Sequence, residues 1–109
     1  MSATAEQVLG VSAQAPRTAL NLRFKPTREW PRELLVERHE PTSNWLSINA
    51  WSSGKRAVML THAFVPQREC RLSCHEGRCY LWAQSVAIGI SASECDQISK
   101  AFGMEIERS

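Results

Sequence analysis

The sequence predicts an α+β domain: an antiparallel sheet of about four to six strands with a C-terminal helix packed on one face. Three observations carry that expectation. From Asn44 to Gln84 apolar and polar residues alternate with period two between glycine-containing turns. Ser91-Ala-Ser-Glu94 then opens the clearest helix of the chain. Finally, 109 residues, 43% hydrophobic and 22% charged, leave room for one core and little more.

Residues 1–18 are mostly Ala, Ser, Thr and Gln, carry no aromatic residue and end near Pro16. They read as a flexible N-terminal tail, or as a short docking helix at Thr4 to Leu9, ahead of a single α+β domain over 19–109. Leu20 to Phe24 alternates and is closed by Pro26, which predicts a first strand. Over 31–39 the spacing of Leu34, Leu35 and Arg38 behind Pro31 favours a short helix that Pro41 ends, with a strand through Leu34–Val36 as the alternative. Trp45 to Trp51 and Arg56 to Val65 form a hairpin about Ser52-Ser-Gly54-Lys55, where Gly54 supplies a positive φ. Glu69 to Cys74 and Cys79 to Gln84 form a second hairpin through His75-Glu-Gly77-Arg78, and Val86 to Ile90 continues it. In the last helix Ser91 caps the N-terminus and Ala92, Cys95, Ile98 and Phe102 make one apolar stripe. Asp96 and Lys100 are spaced to pair on the wet side, and Gly103 is placed to stop the helix.

Composition narrows the function classes. A net charge of +2 is too small to imply a nucleic-acid or membrane partner by electrostatics alone, and it excludes an acidic nucleic-acid mimic. Asp96 is the one aspartate, against ten glutamates, which disfavours most metal-carboxylate and phosphoryl-transfer designs. No basic segment followed by an apolar run opens the chain, and nothing approaches the roughly 18 apolar residues of a membrane span. A cytoplasmic protein with reduced cysteines is therefore expected.

The run Cys70-Arg-Leu-Ser-Cys74-His75-Glu-Gly-Arg-Cys79 is the one place where several metal-binding or redox-active groups crowd together. A metal- or thiol-dependent protein built on it is an alternative reading, but strand geometry opposes a zinc site there. Cys70 and Cys74 on one strand lie about 13 Å apart, whereas tetrahedral ligands must come within about 4 Å of each other. Cys74 and Cys79 face each other across the turn, able to form a disulfide in an oxidising setting and expected as small buried core residues in a reducing one. No metal site and no cofactor are expected.

Enzymatic machinery is also thin. His39, His62 and His75 have no Gly-x-Ser-x-Gly elbow or phosphate-binding glycine loop to serve, so no catalytic residue is assigned. Basic and aromatic residues alternate through Arg17, Arg23, Phe24, Lys25, Arg28, Trp30 and Arg32, a mixture that suits a nucleic-acid backbone and its bases, though Glu29, Glu33 and Glu37 interrupt the field. Nucleic-acid binding through this stretch is the second alternative.

The first hairpin points to a protein partner. In its simplest register Trp51 faces Arg56, Asn49 faces Val58, Ser47 faces Leu60 and Trp45 faces His62, while Leu46, Ile48 and Ala50 line the other side. Both faces carry apolar area and one helix covers one of them. The uncovered face makes Trp45, Trp51, Arg56 and His62 the candidate partner-binding residues of a small non-enzymatic binding protein, expected as a homodimer. The order Trp45-x5-Trp51-Ser-Ser-Gly54, apolar strand, second hairpin and Ile90-Ser-Ala-Ser93 helix start is loosely similar to the C-terminal half of the antirestriction proteins of plasmids and phages. The similarity spans at most about sixty residues, without that family's Asn-Gly-Gly turn or its N-terminal motif. It implies a binding protein that inhibits a host-defence system.

Overall fold

The computed structural model describes residues 20–40 and 43–108; the docking helix expected at Thr4 to Leu9 lies outside them. Eight strands and one helix follow in order: β1 (Asn21–Phe24), β2 (Arg32–Arg38), β3 (Trp45–Ser52), β4 (Met59–Pro66), β5 (Cys70–His75), β6 (Arg78–Ala83), β7 (Val86–Ile90), α1 (Ala92–Phe102) and β8 (Ile106–Arg108). A short 3-10 turn at Gln67–Glu69 joins β4 to β5. This is the α+β fold expected, with the strands divided between two four-stranded sheets. The first is antiparallel in the order β1-β2-β3-β4, and the second runs β7-β6-β5-β8 with β8 parallel to β5. No helix among the described residues is long and apolar enough to cross a membrane.

The segment over 31–39 is a strand, not the favoured helix. Arg32, Leu34 and Val36 are buried while Glu33, Leu35 and Glu37 are only partly covered, a period of two. Leu34 pairs with Phe24 on one side and Ala50 on the other, and Val36 with Leu22 and Ile48. Pairing on both edges outweighs the weak helical spacing, and Pro31 precedes the strand, where no ladder bond is lost.

The first hairpin also departs from its simplest register. Asn49 pairs with His62, Ser47 with Phe64 and Trp45 with Pro66, four positions along from the tight-turn pairing. The cause is a six-residue loop over 53–58, closed by the Ser52 N–H donating to the Val58 carbonyl at 2.8 Å and the Val58 N–H donating to the Ser52 hydroxyl at 2.9 Å. Gly54 holds the expected positive φ, at 117°. Because the shift is even, the faces of Trp45, Ser47 and Asn49 are unchanged. A bulge between the Ala50 and Trp51 pairings then sets Trp51 against Met59, not Arg56.

One core joins the layers. Leu34, Val36, Leu46, Ile48 and Ala50 from the first sheet, Leu72, Leu81, Ile88 and Ile90 from the second, and Cys95, Ile98 and Phe102 from the helix form a single buried cluster. α1 begins as the sequence predicts: the Glu94 N–H donates to the Ser91 hydroxyl at 3.0 Å, and the Ser91 N–H donates to the Glu94 carboxylate at 2.9 Å. Gly103 ends it in the left-handed region, and Gln67 Nε2 donates to the Phe102 carbonyl at 2.7 Å. Asp96 lies 3.9 Å from Arg108 of β8 instead of pairing with Lys100.

A polar clamp crosses this core. Arg32 of β2, 7% exposed, donates from both terminal nitrogens to Glu94, also 7% exposed, at 3.0 and 2.7 Å. Its Nη2 also donates to the Gly89 carbonyl of β7 at 3.1 Å. Trp30 lies over the guanidinium at 5.2 Å and packs so closely on Gly89 that a Cβ there would meet the indole at 3.1 Å. Burial acts to raise the Glu94 pKa, but the Arg32 hydrogen bonds, the Ser91 amide and the arginine's charge together hold it below its ordinary value of 4.5.

Two predictions follow from this packing. Phe102→Ala should cost about 3 to 5 kcal/mol by leaving a cavity, against about 1 kcal/mol for Ser91→Ala, both read from urea unfolding. Since the folded pKa of Glu94 is depressed, its contribution is complete above the unfolded value of 4.5 and disappears as pH falls through the lower folded value. Arg32→Met should therefore cost about 3 to 5 kcal/mol near neutral pH by stranding a buried carboxylate. That deficit should shrink toward about pH 4 as the mutant's carboxyl takes up a proton.

Candidate interaction face

The inner face of the first sheet is filled by the core and the helix, so its outer face is left to solvent. Alternation puts Trp45, Ser47 and Asn49 of β3 there beside His62 and Phe64 of β4 and Leu35 and Glu37 of β2. Trp45 and Phe64 lie 4.9 Å apart between ring centres, and His39 meets Phe64 edge-on at 5.2 Å. These rings stay open, Trp45 at 42% and Phe64 at 46% exposure. Val58, Met59 and Leu60, at and beside the bulge, are exposed to 50% or more. Five of the eight large apolar residues most open to solvent among those described thus come from β3, β4 and the loop between them.

The polar centre of the face is ordered. His62 Nδ1 lies 2.5 Å from Asn49 Oδ1, and Asn49 Nδ2 donates to the Ser47 hydroxyl at 3.1 Å. An amide oxygen only accepts, so in this contact His62 Nδ1 is the donor. A hollow of about 370 Å³, lined by Glu37, His39, Ser47, His62 and Phe64, lies beside the rings.

Of the four residues the sequence nominated, Trp45 and His62 lie on this face, opposite Pro66 and Asn49 respectively and not opposite each other. Trp51 is half-buried at the bulged end, and Arg56 is exposed in the loop beyond the strand register. Among the described residues the arginines that lie over rings are Arg32 on Trp30, Arg38 on Phe102 and Arg71 on Trp82. Phe64 and His39 complete the aromatic group, and the sequence reading named neither; the even parity of the hairpin was a signal that could have placed Phe64 with Trp45, whereas His39 was hidden by the helix reading of 31–39.

The second sheet also has an outer face, and it is closed differently. Arg71 covers Trp82 at 5.0 Å and pairs with Glu107 at 3.0 Å, while the Trp82 indole N–H donates to the Ser73 hydroxyl at 2.9 Å. Side chains of the same sheet satisfy that tryptophan. Part of the basic stretch is engaged: Arg32 is buried in the clamp, Arg23 binds Glu33 at 2.6 Å and Trp30 packs on Gly89, while Lys25 and Arg28 are exposed.

The cysteines regroup. Cys70 sits at the far end of β5, where burial and neighbouring Glu69 push its thiol up to about 11. Cys74 and Cys79 are opposite each other as expected, but joined in a disulfide, not held as two thiols. Cys95 of α1 brings its sulfur to 3.6 Å from that of Cys74. The helix stripe gave Cys95 a core position, and only the packing of that stripe on the Cys74–Cys79 face shows the three sulfurs together.

No protein-family model matches the chain, and neither a curated protein nor a solved structure matches it. Thiol titration of the air-equilibrated, denatured chain should count two free thiols, Cys70 and Cys95, rising to four after reduction.

Proposed function

We propose that the protein is a small non-enzymatic protein-binding module that works through the outer face of the first sheet and the open edge of β4. The observation that carries this reading is the gathering of exposed Trp45, Val58, Met59, Leu60 and Phe64 on and around an edge strand, Met59–Pro66, that contains no charged residue. Native edge strands are ordinarily blunted by charge, and exposed aromatic side chains beside a shallow hollow are what binding hot spots are made of.

The edge has a definite hydrogen-bonding pattern. The Gln67 N–H donates to the Asn44 carbonyl at 2.6 Å, so in this register the odd-numbered residues of β4 bond to β3. The amide and carbonyl of His62 and of Phe64 then point outward. A second copy supplies a complementary strand: antiparallel pairing of β4 with itself about His62 sets Leu60 opposite the partner's Phe64 and makes one continuous sheet of the two. The dimer presents a doubled aromatic face to a further protein. The loose similarity in sequence order to antirestriction proteins supports the finer reading that the bound target belongs to a host-defence system and is inhibited on binding.

Sedimentation equilibrium on the full chain tests the reading. The wild type should associate to a dimer, and Phe64→Lys, which restores charge to the edge, should be monomeric with its melting temperature nearly unchanged. Trp45→Ala should weaken binding of a target protein by about 2 kcal/mol or more without loss of fold. A wild type that remains monomeric at every concentration would overturn the dimer. Variants whose main effect is unfolding would return the face to the core.

A further inference from the structure

We propose that Cys74, Cys79 and Cys95 form a binding site for a thiophilic divalent cation of the zinc and cadmium class, open when the Cys74–Cys79 disulfide is reduced. The inference is independent of the interaction face. Its ligands come from three elements, β5, β6 and α1, and their sulfurs lie within 4.8 Å of one another, the one such group of three or more His, Cys, Asp or Glu ligands among the described residues. Cys79 and Cys95 are buried and Cys74 is half-buried.

The fit is geometric. A cation about 2.3 Å from each thiolate holds its sulfurs about 4 Å apart, and Cys95 already stands 3.6 Å from Cys74. Reduction lets the Cys74 and Cys79 sulfurs move to ordinary contact distance, close to that same separation, with little backbone change. Their alternatives are set by the fold: Cys70 is at the other end of β5, and His75 points to the opposite face of the strand.

Cys95 lies in the first turn of α1; burial and neighbouring Asp96 push its thiol up while Arg108 acts the other way, so thiolate forms there only against a bound cation. A hollow of about 240 Å³, lined by Cys74, Glu76, Gly77, Cys79, Ala92 and Arg108, opens onto the Cys74–Cys79 pair, with Cys95 behind it, and gives an ion a way in and a fourth ligand, such as water, a place. Three thiolates and one divalent ion leave one negative charge, which the Arg108 guanidinium faces.

The steps balance with a dithiol as reductant. Its two thiols pass two electrons and two protons to the Cys74–Cys79 bond, which breaks to two thiols while the reductant closes to its own disulfide. Binding then exchanges three thiol protons, released to solvent, for one cation. Re-oxidation removes two ligands, so the site follows the redox state of its surroundings.

The test is anaerobic titration of the reduced full chain with Cd²⁺, reading the thiolate-to-cadmium charge-transfer absorption in the ultraviolet and the melting temperature together. The reduced wild type and Cys70→Ser should each bind one Cd²⁺ per chain with a raised melting temperature. Cys95→Ser and Cys79→Ser should lose the stoichiometric band, and the oxidised wild type should never show it. Two ligand variants on different elements guard against one failing to fold. Absence of a saturable band in the reduced wild type would overturn the proposal, as would a band kept by Cys95→Ser or lost by Cys70→Ser.

Discussion

The Arg32–Glu94 pair is the constraint on which the arrangement depends. Apolar contact between two sheets and a helix is non-directional and tolerates sliding, whereas two hydrogen bonds between a guanidinium and a carboxylate fix position and angle together. Arg32 belongs to the first sheet, Glu94 to the helix and the Gly89 carbonyl to the second sheet, so one side chain sets all three layers. Such a pair adds little net stability against an apolar substitute of equal volume, because both charges lose their hydration. What the pair contributes is direction, since its hydrogen bonds are satisfied at one relative placement of the three layers, and Trp30 covers it by closing over the guanidinium and Gly89.

From that packing follows which surface is left to work. The helix fills the space between the inner faces and nothing described lies on the outer ones, so each sheet must satisfy its own exterior. The second sheet does so with Arg71, Glu107 and Ser73 around Trp82. The first keeps its polar groups, Ser47, Asn49 and His62, bonded to one another at the centre and leaves Trp45 and Phe64 open beside them. Surface area alone does not separate the two faces. The difference is that Trp82 has cationic and hydroxyl partners within its own sheet, while Trp45 packs on another exposed ring.

What the sequence made legible was local. The capping box, the stripe of Cys95, Ile98 and Phe102, the stop at Gly103 and the cross-strand register of Cys74 and Cys79 all rest on nearby residues and appear as read, although Ala92 at the head of the stripe is exposed and the cysteine pair is a disulfide, not two thiols. Failures came where distant residues decided. The strand over Arg32–Arg38 exists because β1 and β3 pair on either side of it, which the spacing of Leu34, Leu35 and Arg38 cannot reveal. The first hairpin slid by four positions because the Ser52 hydroxyl closes a wide loop, a bond no turn preference encodes. Strand β8 is three residues long and is a strand only by lying parallel to β5. For the face, parity survived the slide, so Trp45 and His62 keep one side of the sheet, though not opposite each other, while Trp51 and Arg56 are displaced by the bulge and the loop.

The first turn of α1 concentrates these long-range decisions. Glu94 and Cys95 are neighbours in sequence and point about 100° apart around the helix axis, so a single turn reaches Arg32 of one sheet and the Cys74–Cys79 hairpin of the other. Ser91 holds that turn in register by accepting from the Glu94 amide, and Glu94 binds the Ser91 amide with the same carboxylate that takes Arg32. Cap, ion pair and sulfur cluster therefore share atoms or adjacent residues and cannot be rearranged separately. In a chain this small a helix of eleven residues offers few contacts with which to organise eight strands. Spending its first turn on directional bonds, and the rest on the stripe of Ile98 and Phe102, is how one short element fixes two sheets.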